Sequence, residues 1–389
     1  MVNKQNWIPT KVKDVAKIVS GATPKTGIEE NWGGDIPWLT PKDLSDNPAP
    51  YTSHGSRFLT EQGFNSCSTH MLPKGTVLLT SRAPVGYVSV AANDICTNQG
   101  FKSLVLEDGQ IPEFWYYLLS ANTETLLNYS GGSTFKELSK RSLEQIEFLI
   151  PPIEEQREIV SFMQALDLMI QAGDREIASA EQMRGDVART LIRQVGEEFE
   201  FKPLQEVVEF HDNKRKPVKK ADRVPGSYPY YGASGIADYV DNFLFEGLHL
   251  LIAEDGENIR TRKLPIAFLA NGKFWVNNHA HIVKAESDTS TQYVALAIEF
   301  SDVSAYISGS SRPKITKSAC QSIQIPFPPL EDQKKIVGKM QTLDTYIDSA
   351  KRSQEALKQV RQDALHALLS GDKGVRDLAE LFASDEGVA

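Results

Sequence analysis

Residues 151–160 read Pro-Pro-Ile-Glu-Glu-Gln-Arg-Glu-Ile-Val, and residues 328–337 read Pro-Pro-Leu-Glu-Asp-Gln-Lys-Lys-Ile-Val. The two stretches lie 177 residues apart, and the correspondence continues without a gap for about forty residues. A Pro-Pro pair blocks any helix upstream of it, and acidic residues favour the positive end of a helix dipole. Each stretch therefore predicts the start of a helix, and the chain contains this helix twice.

Apolar residues recur every three or four positions after each start, which is typical of a helix that packs lengthwise against another helix. A helix of about 33 residues would be roughly 50 Å long, at about 1.5 Å per residue. Both patterns are interrupted by an arginine at the same step, so Arg184 and Arg361 are predicted to have equivalent surroundings. The first pattern consists of Ile159, Met163, Leu166, Ile170, Gly173, Ile177, Ala180, Arg184, Val187 and Leu191, and the second of Ile336, Met340, Leu343, Ile347, Ala350, Gln354, Leu357, Arg361, Ala364 and Leu368.

A period of 177 residues is too long for a solenoid repeat, so the sequence indicates a duplicated module in which a globular part precedes each helix. The predicted fold is mixed α+β, with two globular domains separated by two long antiparallel coiled-coil helices in a pseudo-twofold arrangement. The alternative for the helices is a coiled coil that only dimerises or fills a core. The predicted divisions are residues 1–150, 151–196, 197–327 and 328–372, with a tail at 373–389.

The globular parts share an order of elements. A buried strand at 75–81 with a hairpin partner at 86–90, a turn at 97–101 and a helix beginning at Pro112 are predicted in the first part. Leu248 to Ala253 and the helix containing Tyr293 occupy the corresponding places in the second part. The segments between these elements differ in length, as expected of two copies that perform one task on different ligands.

Composition limits the function only partly. The chain of 389 residues has room for two or three domains, and its net charge of −9 comes from 42 basic and 51 acidic residues. A mildly acidic protein still binds DNA where basic residues cluster on one face. We expect neither a signal peptide nor a membrane span, because no apolar run approaches about 18 residues. Three scattered cysteines, Cys67, Cys96 and Cys320, favour a cytoplasmic protein without a disulfide framework or zinc site.

Taken together, these features closely resemble the specificity (S) subunit of type I restriction-modification systems, over essentially the whole chain. The two Pro-Pro stretches are the most specific part of the resemblance. Further motifs that carry it are Ile36-Pro37-Trp38-Leu39, Thr97-Asn98-Gln99-Gly100-Phe101, Tyr230-Tyr231-Gly232-Ala233-Ser234-Gly235 and Asn277-Asn278-His279-Ala280-His281.

The resemblance implies a non-catalytic DNA-binding subunit. In that family each globular part is a target-recognition domain for one half of a split double-stranded DNA sequence. The paired helices set the spacer and dock two methyltransferase (M) subunits, which methylate adenine using S-adenosylmethionine. The complex can add restriction (R) subunits that hydrolyse ATP, and the cofactors S-adenosylmethionine, ATP and Mg²⁺ are expected on these partners and not on this chain.

Basic residues are the candidates for DNA contact, either with phosphates or with base edges. For the densest run, at 214–220, a solvated loop is the alternative. The candidates in the second globular part are Lys214, Arg215, Lys216, Lys219, Lys220, Arg260, Arg262, Lys263, Arg312 and Lys314, with Arg223 beside the dense run. Those in the first part are Lys25, Lys42, Arg82, Thr134, Lys136 and Lys140.

Three other motifs have a structural alternative that we prefer. Asn98 and Asn277 carry amides that could pair with adenine, but their recurrence in both halves favours a structural turn. His279 and His281 have no cysteine or acidic cluster near them in sequence, so we predict no metal site. Tyr228, Tyr230 and Tyr231 could stack on a base, but core and turn packing is the preferred interpretation.

Two rival functions remain open at this point. One is a DNA methyltransferase or nuclease with unrecognised motifs, although the sequence has no phosphate-binding Gly-x-x-x-x-Gly-Lys-Ser/Thr loop and no Asn/Asp-Pro-Pro-Tyr methylation motif. The other is a coiled-coil scaffold with no role on DNA. Its binding to a duplex would show no sequence preference and no salt dependence.

Overall fold

The computed structural model describes residues 6–132 and 136–385. The chain divides into two compact units, one comprising Met1–Ala172 with Gln354–Ala389 and the other Gly173–Ser353. Both long helices contribute one part to each unit, so the unit boundaries fall inside the helices and not at their ends.

The first unit contains a five-stranded sheet in the order β2-β9-β6-β7-β4, a three-stranded sheet β5-β3-β8, and the antiparallel pair β1-β10. Its strands are β1 Ile8–Lys11, β2 Ala16–Val19, β3 Trp32–Leu39, β4 Tyr51–Thr52, β5 Arg57–Leu59, β6 Val77–Ser81, β7 Val85–Ala91, β8 Cys96–Thr97, β9 Ser103–Leu106 and β10 Glu147–Ile150. Its helices are α1 Pro41–Asp46, α2 Glu61–Asn65, α3 Pro112–Ala121, α4 Thr123–Asn128, α5 Lys140–Gln145 and the first part of α6 Ile153–Glu198.

Strand β6 lies at the centre of this unit and is buried at every position. It pairs with β7 as the predicted hairpin partner, with Val77 opposite Val90. Helix α3 begins at Pro112, as predicted, and buries Phe114, Trp115 and further apolar side chains against the same core. Both faces of β6 are therefore covered by the core of the unit.

The second unit contains a four-stranded sheet β12-β19-β16-β17, a second four-stranded sheet β14-β13-β18-β15, and the antiparallel pair β11-β20. Its strands are β11 Phe201–Pro203, β12 Val208–Phe210, β13 Pro225–Gly232, β14 Gly235–Val240, β15 Phe245–Glu246, β16 His249–Ala253, β17 Ala267–Ala270, β18 Lys273–Val276, β19 Ala280–Ala285 and β20 Gln324–Pro326. Its helices are α7 Leu204–Val207, α8 Asn258–Thr261, α9 Asp288–Glu299, α10 Lys317–Ser322 and the first part of α11 Leu330–Leu369.

The second unit repeats the frame of the first. Strand β16 is buried throughout, like β6, and β13 pairs in parallel with β18 as β3 pairs with β8. The preferred turn interpretation of the asparagines is confirmed, because Asn98 Oδ1 accepts from the Gly100 amide at 2.8 Å and Asn277 Oδ1 from the His279 amide at 2.7 Å. Tyr230 is buried and Tyr231 packs on Phe274, which confirms the packing role predicted for these tyrosines.

The two Pro-Pro stretches begin the two long helices, as predicted. In each, the glutamine four residues after the Pro-Pro pair turns back toward the preceding chain. Gln156 Nε2 donates to the Pro151 carbonyl at 2.9 Å, and Gln333 Nε2 donates to the Pro328 carbonyl at 2.8 Å. Since both glutamines are buried, this bond fixes the angle at which each helix leaves its globular part.

The helices, predicted over 151–196 and 328–372, are longer than the apolar pattern of about 33 residues, because α6 has 46 residues and α11 has 40. The predicted apolar pattern extends only to Leu191, but the helix continues where its last turns pack on the second unit. There the buried positions shift by one residue to Ala188, Ile192 and Val195, and the last two belong to the core of that unit. A contact with a globular core thus replaces the helix–helix seam.

The two seam arginines have equivalent surroundings, as predicted. In the first unit Arg361 Nε donates to Asp167, and Tyr117 donates to the same carboxylate at 2.6 Å. In the second unit Arg184 donates to Asp344 through Nε and, at 3.1 Å, through Nη2. The aspartates are themselves 177 residues apart, so the duplication preserved both partners of the ion pair. Within each unit the two helix segments pack antiparallel, with Ile159 and Leu368 in one core and Ile192 and Ile336 in the other.

The segment predicted as a tail contains a helix, α12 Val375–Asp385. Its Leu378 is buried in the core of the first unit. Among the described residues, no helix is long and apolar enough to cross a membrane.

Candidate nucleic-acid interface

Four separate segments meet at the carboxyl end of β16 in the second unit. The Glu254 amide donates to the His279 carbonyl at 2.9 Å, and the Ile315 amide donates to the Glu254 carbonyl at 2.9 Å. The segment at 211–216 joins them because Asp212 Oδ1 accepts from the Ile282 amide at 2.9 Å. Loops after strand ends are common places for binding residues, since a rigid sheet holds them in position.

An ion cluster lies beneath this surface. Arg215 donates to Glu254 at 2.6 Å and to the Ala280 carbonyl at 2.8 Å. Lys314 Nζ lies 3.0 Å from the other oxygen of Glu254. His281 is buried, with Nδ1 at 2.8 Å from Asp212 and Nε2 at 2.9 Å from the Ile315 carbonyl.

The histidine motif therefore has acidic neighbours after all, but they come from distant positions in the sequence. His279 Nδ1 lies 3.0 Å from both oxygens of Asp255, and Arg312 Nη2 lies 3.1 Å from one of them. Within the described ranges, no group of three or more histidine, cysteine, aspartate or glutamate side chains could hold a metal ion. The carboxylates of this cluster instead have arginine, lysine and histidine partners.

The pKa values of Asp212 and Glu254 are lowered, which favours their ionised forms. Burial alone would raise the pKa of Asp212, but hydrogen bonds from His281 and the Ile282 amide outweigh burial and lower it. Burial likewise opposes ionisation of Glu254, whose pKa is lowered by hydrogen bonds from Arg215 and Lys314. Because the carboxylates are mostly buried while Arg312 and Lys314 are exposed, the surface presents cations above hidden anions.

The hairpin at 308–314 carries two of these cations. The backbones of Ser308 and Lys314 exchange two hydrogen bonds of 2.8 Å. Arg260 donates to the Gly309 carbonyl and, at 2.9 Å, to the Ser310 carbonyl. Arg260 therefore holds the hairpin in shape.

Arg262 also binds backbone, and its neighbour Lys263 does not share this role. The Arg262 guanidinium donates to the carbonyls of Glu299 and Ser301, at 2.6 and 3.0 Å, at the end of α9. Lys263 is exposed. The predicted candidates at 260–263 thus separate into two side chains with internal partners and one that faces solvent.

The basic run at 214–220, together with Arg223, also contains both side chains with internal partners and exposed side chains. Arg215 is part of the ion cluster, and Arg223 stacks on Tyr230 and pairs with Asp238 at 3.0 Å. Trp275 Nε1 donates to the Lys216 carbonyl at 2.6 Å, which holds the run against β18. The exposed members of the run are Lys214, Lys216, Lys219 and Lys220.

In the first unit, the carboxyl end of β6 has the corresponding arrangement. The Leu138 amide donates to the Ser81 carbonyl at 2.9 Å, as Ile315 does to Glu254. Arg82 lies 3.9 Å from Glu137, which is the residue that corresponds to Lys314 at the 177-residue offset. Each hairpin thus contributes one residue to an ion pair, but the sign of its charge differs, with Glu137 in the first unit and Lys314 in the second.

The buried groups behind the two hairpins also differ. Lys102 takes the place of His281, and its Nζ lies 3.5 Å from Ser81 Oγ and 3.4 Å from the Phe101 carbonyl. Burial lowers the pKa of the Lys102 ammonium group. One backbone frame therefore carries two different sets of polar groups, as expected if the units recognise different ligands.

The remaining first-unit candidates are scattered. Lys140 pairs with Glu144 at 3.8 Å and lines a cleft with Lys17 and His70. Lys136 is exposed on the hairpin, whereas Lys25 and Lys42 are exposed in other loops. Thr134 lies outside the described residues.

Arg57 is a further candidate that sequence reasoning missed. Its guanidinium carbon lies 3.3 Å from the centre of the Trp32 ring, and the side chain is exposed. An isolated arginine on a short strand has no local signal. Only the register of β3 and β5 brings Arg57 to the tryptophan.

Residues 4–182 and 196–359 match the model of one protein family, which is described as the type I restriction modification DNA specificity domain. The MjaIX specificity subunit of a Methanocaldococcus jannaschii type I restriction enzyme is 27% identical over 96% of this chain and 95% of its own length. A putative type I restriction enzyme specificity subunit of Haemophilus influenzae is 42% identical over 36% of each chain.

Solved structures share the fold. The S subunit of a type I restriction-modification system from M. genitalium aligns with a TM-score of 0.52 and 17% identity, over 94% of this chain and 96% of that chain. A chain from a type I R-M system, solved to explain complex assembly and conformational transition, aligns with a TM-score of 0.62 and 16% identity, over 95% and 99%.

Proposed function

The chain belongs to the family of type I restriction-modification DNA specificity subunits, and from that premise we propose that each of its globular parts reads one block of a split double-stranded DNA sequence. Family membership makes the chain a recognition subunit and not a catalyst. The observation that carries the proposal is the repeated backbone arrangement. The carboxyl ends of β6 and β16 lie beside equivalent hairpins, and these hairpins carry different polar groups.

Within this proposal most of the candidate cations contact DNA, and three arginines that the chain itself holds in place shape the surface. The exposed side chains assigned to DNA contact are Lys214, Lys216, Lys219, Lys220, Lys263, Arg312 and Lys314 in the second unit, and Lys25, Lys42, Lys136 and Lys140 in the first. Arg215, Arg260 and Arg262 are assigned a supporting role, because Arg215 is largely buried against Glu254 and the other two donate to backbone carbonyls. Half-exposed Arg82 pairs with Glu137 of the first hairpin, and Thr134 is retained as a candidate from sequence alone.

We further propose that the partners are two methyltransferase subunits, to which restriction subunits can be added, in the cytoplasm. The bound S-adenosylmethionine, ATP and Mg²⁺ belong to those partners. The paired helices are proposed to set the length of the unread DNA spacer. A helix of 46 residues is about 70 Å long, compared with about 34 Å for one turn of B-DNA.

A duplicated groove supports two copies of one partner. In the first unit a cavity of about 340 Å³ is lined by Tyr117, Gln164, Asp167 and Leu168 among other residues. In the second unit a cavity of about 340 Å³ includes Gln341 and Asp344, the residues that correspond to Gln164 and Asp167 at the 177-residue offset. Two sites of one design fit two identical methyltransferase subunits.

The docking proposal can be tested at Gln164 and Gln341, which line the two grooves and also lie 177 positions apart. Each single change to glutamate is expected to reduce the methyltransferase copies bound to the chain from two to one, because a buried unpaired charge opposes docking. The double variant is expected to bind none. Native mass spectrometry of the co-expressed complex measures this, and an unchanged stoichiometry would contradict the proposed surface.

The function is tested by mapping adenine methylation in cells that express this chain with its methyltransferase partner. We expect one split motif with two specific blocks and an unread spacer of fixed length. A single continuous motif, or methylation without sequence preference, would show that the proposal is wrong. Binding that neither prefers a sequence nor falls with added salt would favour the scaffold alternative.

A further inference from the structure

We propose that Arg312 reads a guanine in the DNA block recognised by the second unit, and that Asp255 is its positioning residue. This inference rests on the proposed DNA-reading function and adds a base and a residue to it. The Arg312 side chain is 67% exposed, while the Asp255 carboxylate that holds it at 3.1 Å is only 15% exposed. The largely buried Asp255 carboxylate thus holds Nη2 of the Arg312 guanidinium, and the rest of the group faces outward.

Arg312 differs from the other arginines near this surface in what its guanidinium does. Arg215 is largely buried against Glu254, and Arg260 and Arg262 donate to backbone carbonyls. Arginine has five N–H donors in a planar fork. Because Asp255 engages Nη2, donors remain on Arg312 for a ligand above the surface.

The backbone that carries Arg312 is constrained from several sides. Ser308 and Lys314 close the hairpin, and Arg260 binds its tip. Gly309 has a φ of +82°, and a Cβ there would lie 2.4 Å from the Arg312 carbonyl oxygen. The Gly256 amide donates to the Pro313 carbonyl at 3.0 Å and ties the hairpin to the loop that holds Asp255. A binding group on a constrained loop loses little conformational freedom when it engages DNA.

Asp255 is itself held in place. Both of its oxygens lie 3.0 Å from His279 Nδ1, and its backbone pairs with that of Lys314. The guanidinium of Arg312 is therefore oriented as well as anchored. Orientation matters for a bidentate contact with O6 and N7 of guanine, which is the commonest specific contact that arginine makes in the major groove.

The neighbouring carboxylate favours a base over a phosphate as the target. Asp255 partly neutralises Arg312, which weakens its attraction to the DNA backbone but fixes the direction of its donors. A phosphate contact depends mainly on charge and carries no sequence information. In the sequence, the 177-residue offset aligns Arg312 with Phe135, a residue of a different type. A residue that selects a base should differ between two domains that read different blocks.

The test is methylation mapping and binding with the complete complex of this chain and its methyltransferase partner. Arg312→Ala is expected to relax one guanine position in one block, with roughly a 10- to 100-fold loss of discrimination there. Arg312→Lys is expected to relax the same position, since an ammonium group keeps the charge but not the fork. Asp255→Asn is expected to relax it in part, because it loosens the orientation without removing a DNA-facing cation.

The matched control is Lys339→Ala, a change at an exposed lysine of α11 outside this surface, which should leave both blocks unchanged. A phosphate contact would give a different pattern: affinity would fall equally for all sequences, the salt slope would fall by about one, and lysine would restore binding. That pattern, or an unaltered motif in Arg312→Ala, would overturn the inference. The absence of any split motif with the unmodified chain would instead overturn the proposed function.

Discussion

Arg361 and Asp167 form an ion pair between the two helix segments of the first unit. Their side chains are 25% and 16% exposed, and the Tyr117 hydroxyl also donates to Asp167. Arg184 and Asp344, the corresponding pair in the second unit, are 30% and 44% exposed. Removing one partner of a pair costs more as the remaining charge becomes less accessible to water.

We expect Arg361→Ala to lower the free energy of unfolding by about 2–3 kcal/mol, because it leaves Asp167 half-buried without its charge partner. Arg184→Ala should cost less. The control is Arg157→Ala, whose pair with Glu154 is 62% and 75% exposed and which should change stability by less than about 0.5 kcal/mol. Urea unfolding monitored by circular dichroism measures all three, and the reverse order would contradict this account.

Asp212 should make the stability of the second unit depend on acid pH. Its folded-state pKa is lowered, because hydrogen bonds from His281 and the Ile282 amide outweigh the effect of burial. The stability that this group contributes is therefore complete above about pH 4, the usual aspartate pKa, and is lost as the pH falls through the lowered folded-state value.

Asp212→Asn is expected to flatten the decline of stability between about pH 5 and pH 2, since an amide does not titrate there. Urea midpoints at several pH values measure the slope for the unmodified chain and the variant. Equal slopes would mean that the ionised state of Asp212 does not stabilise the fold.

At the scale of elements, the duplicated helices show where a repeating pattern ends. The predicted seam holds up to Val187, and the buried positions then shift to Ala188, Ile192 and Val195. A heptad pattern describes contact with another helix, whereas the last turns of α6 contact a globular core that has a different shape. The apolar periodicity therefore does not predict the last turns of α6.

The helix α12 is expected to stabilise the first unit, because Leu378 is buried in its core beside Val375 and Leu369. Leu378→Ala should lower the free energy of unfolding by about 2–3 kcal/mol, through lost transfer energy and the cavity left behind. The control is Arg376→Ala, at an exposed position of the same helix. Calorimetry of the variants measures the effect, and equal melting temperatures would show that α12 does not contribute.

At the scale of the whole molecule, the two units have separate hydrophobic cores. If each reads its own block, exchanging residues 197–327 for those of another family member should change one block of the methylated motif and leave the other intact. Methylation mapping of the chimera tests this. The reciprocal exchange of residues 1–150 is the control and should change only the other block, whereas a change in both blocks would contradict independent reading.

The sequence by itself determined the duplication, the helix starts, the seam arginines and the asparagine turns, because each of these depends on residues close together in the chain or on a fixed offset. Only the tertiary structure decided which cations face outward and which have internal partners. Asp212, Glu254, His281 and Lys314 come together through strand pairing across as many as about a hundred residues. Ion-pair partners at that separation leave no periodic signal, since they depend on which loops the sheet brings to one end.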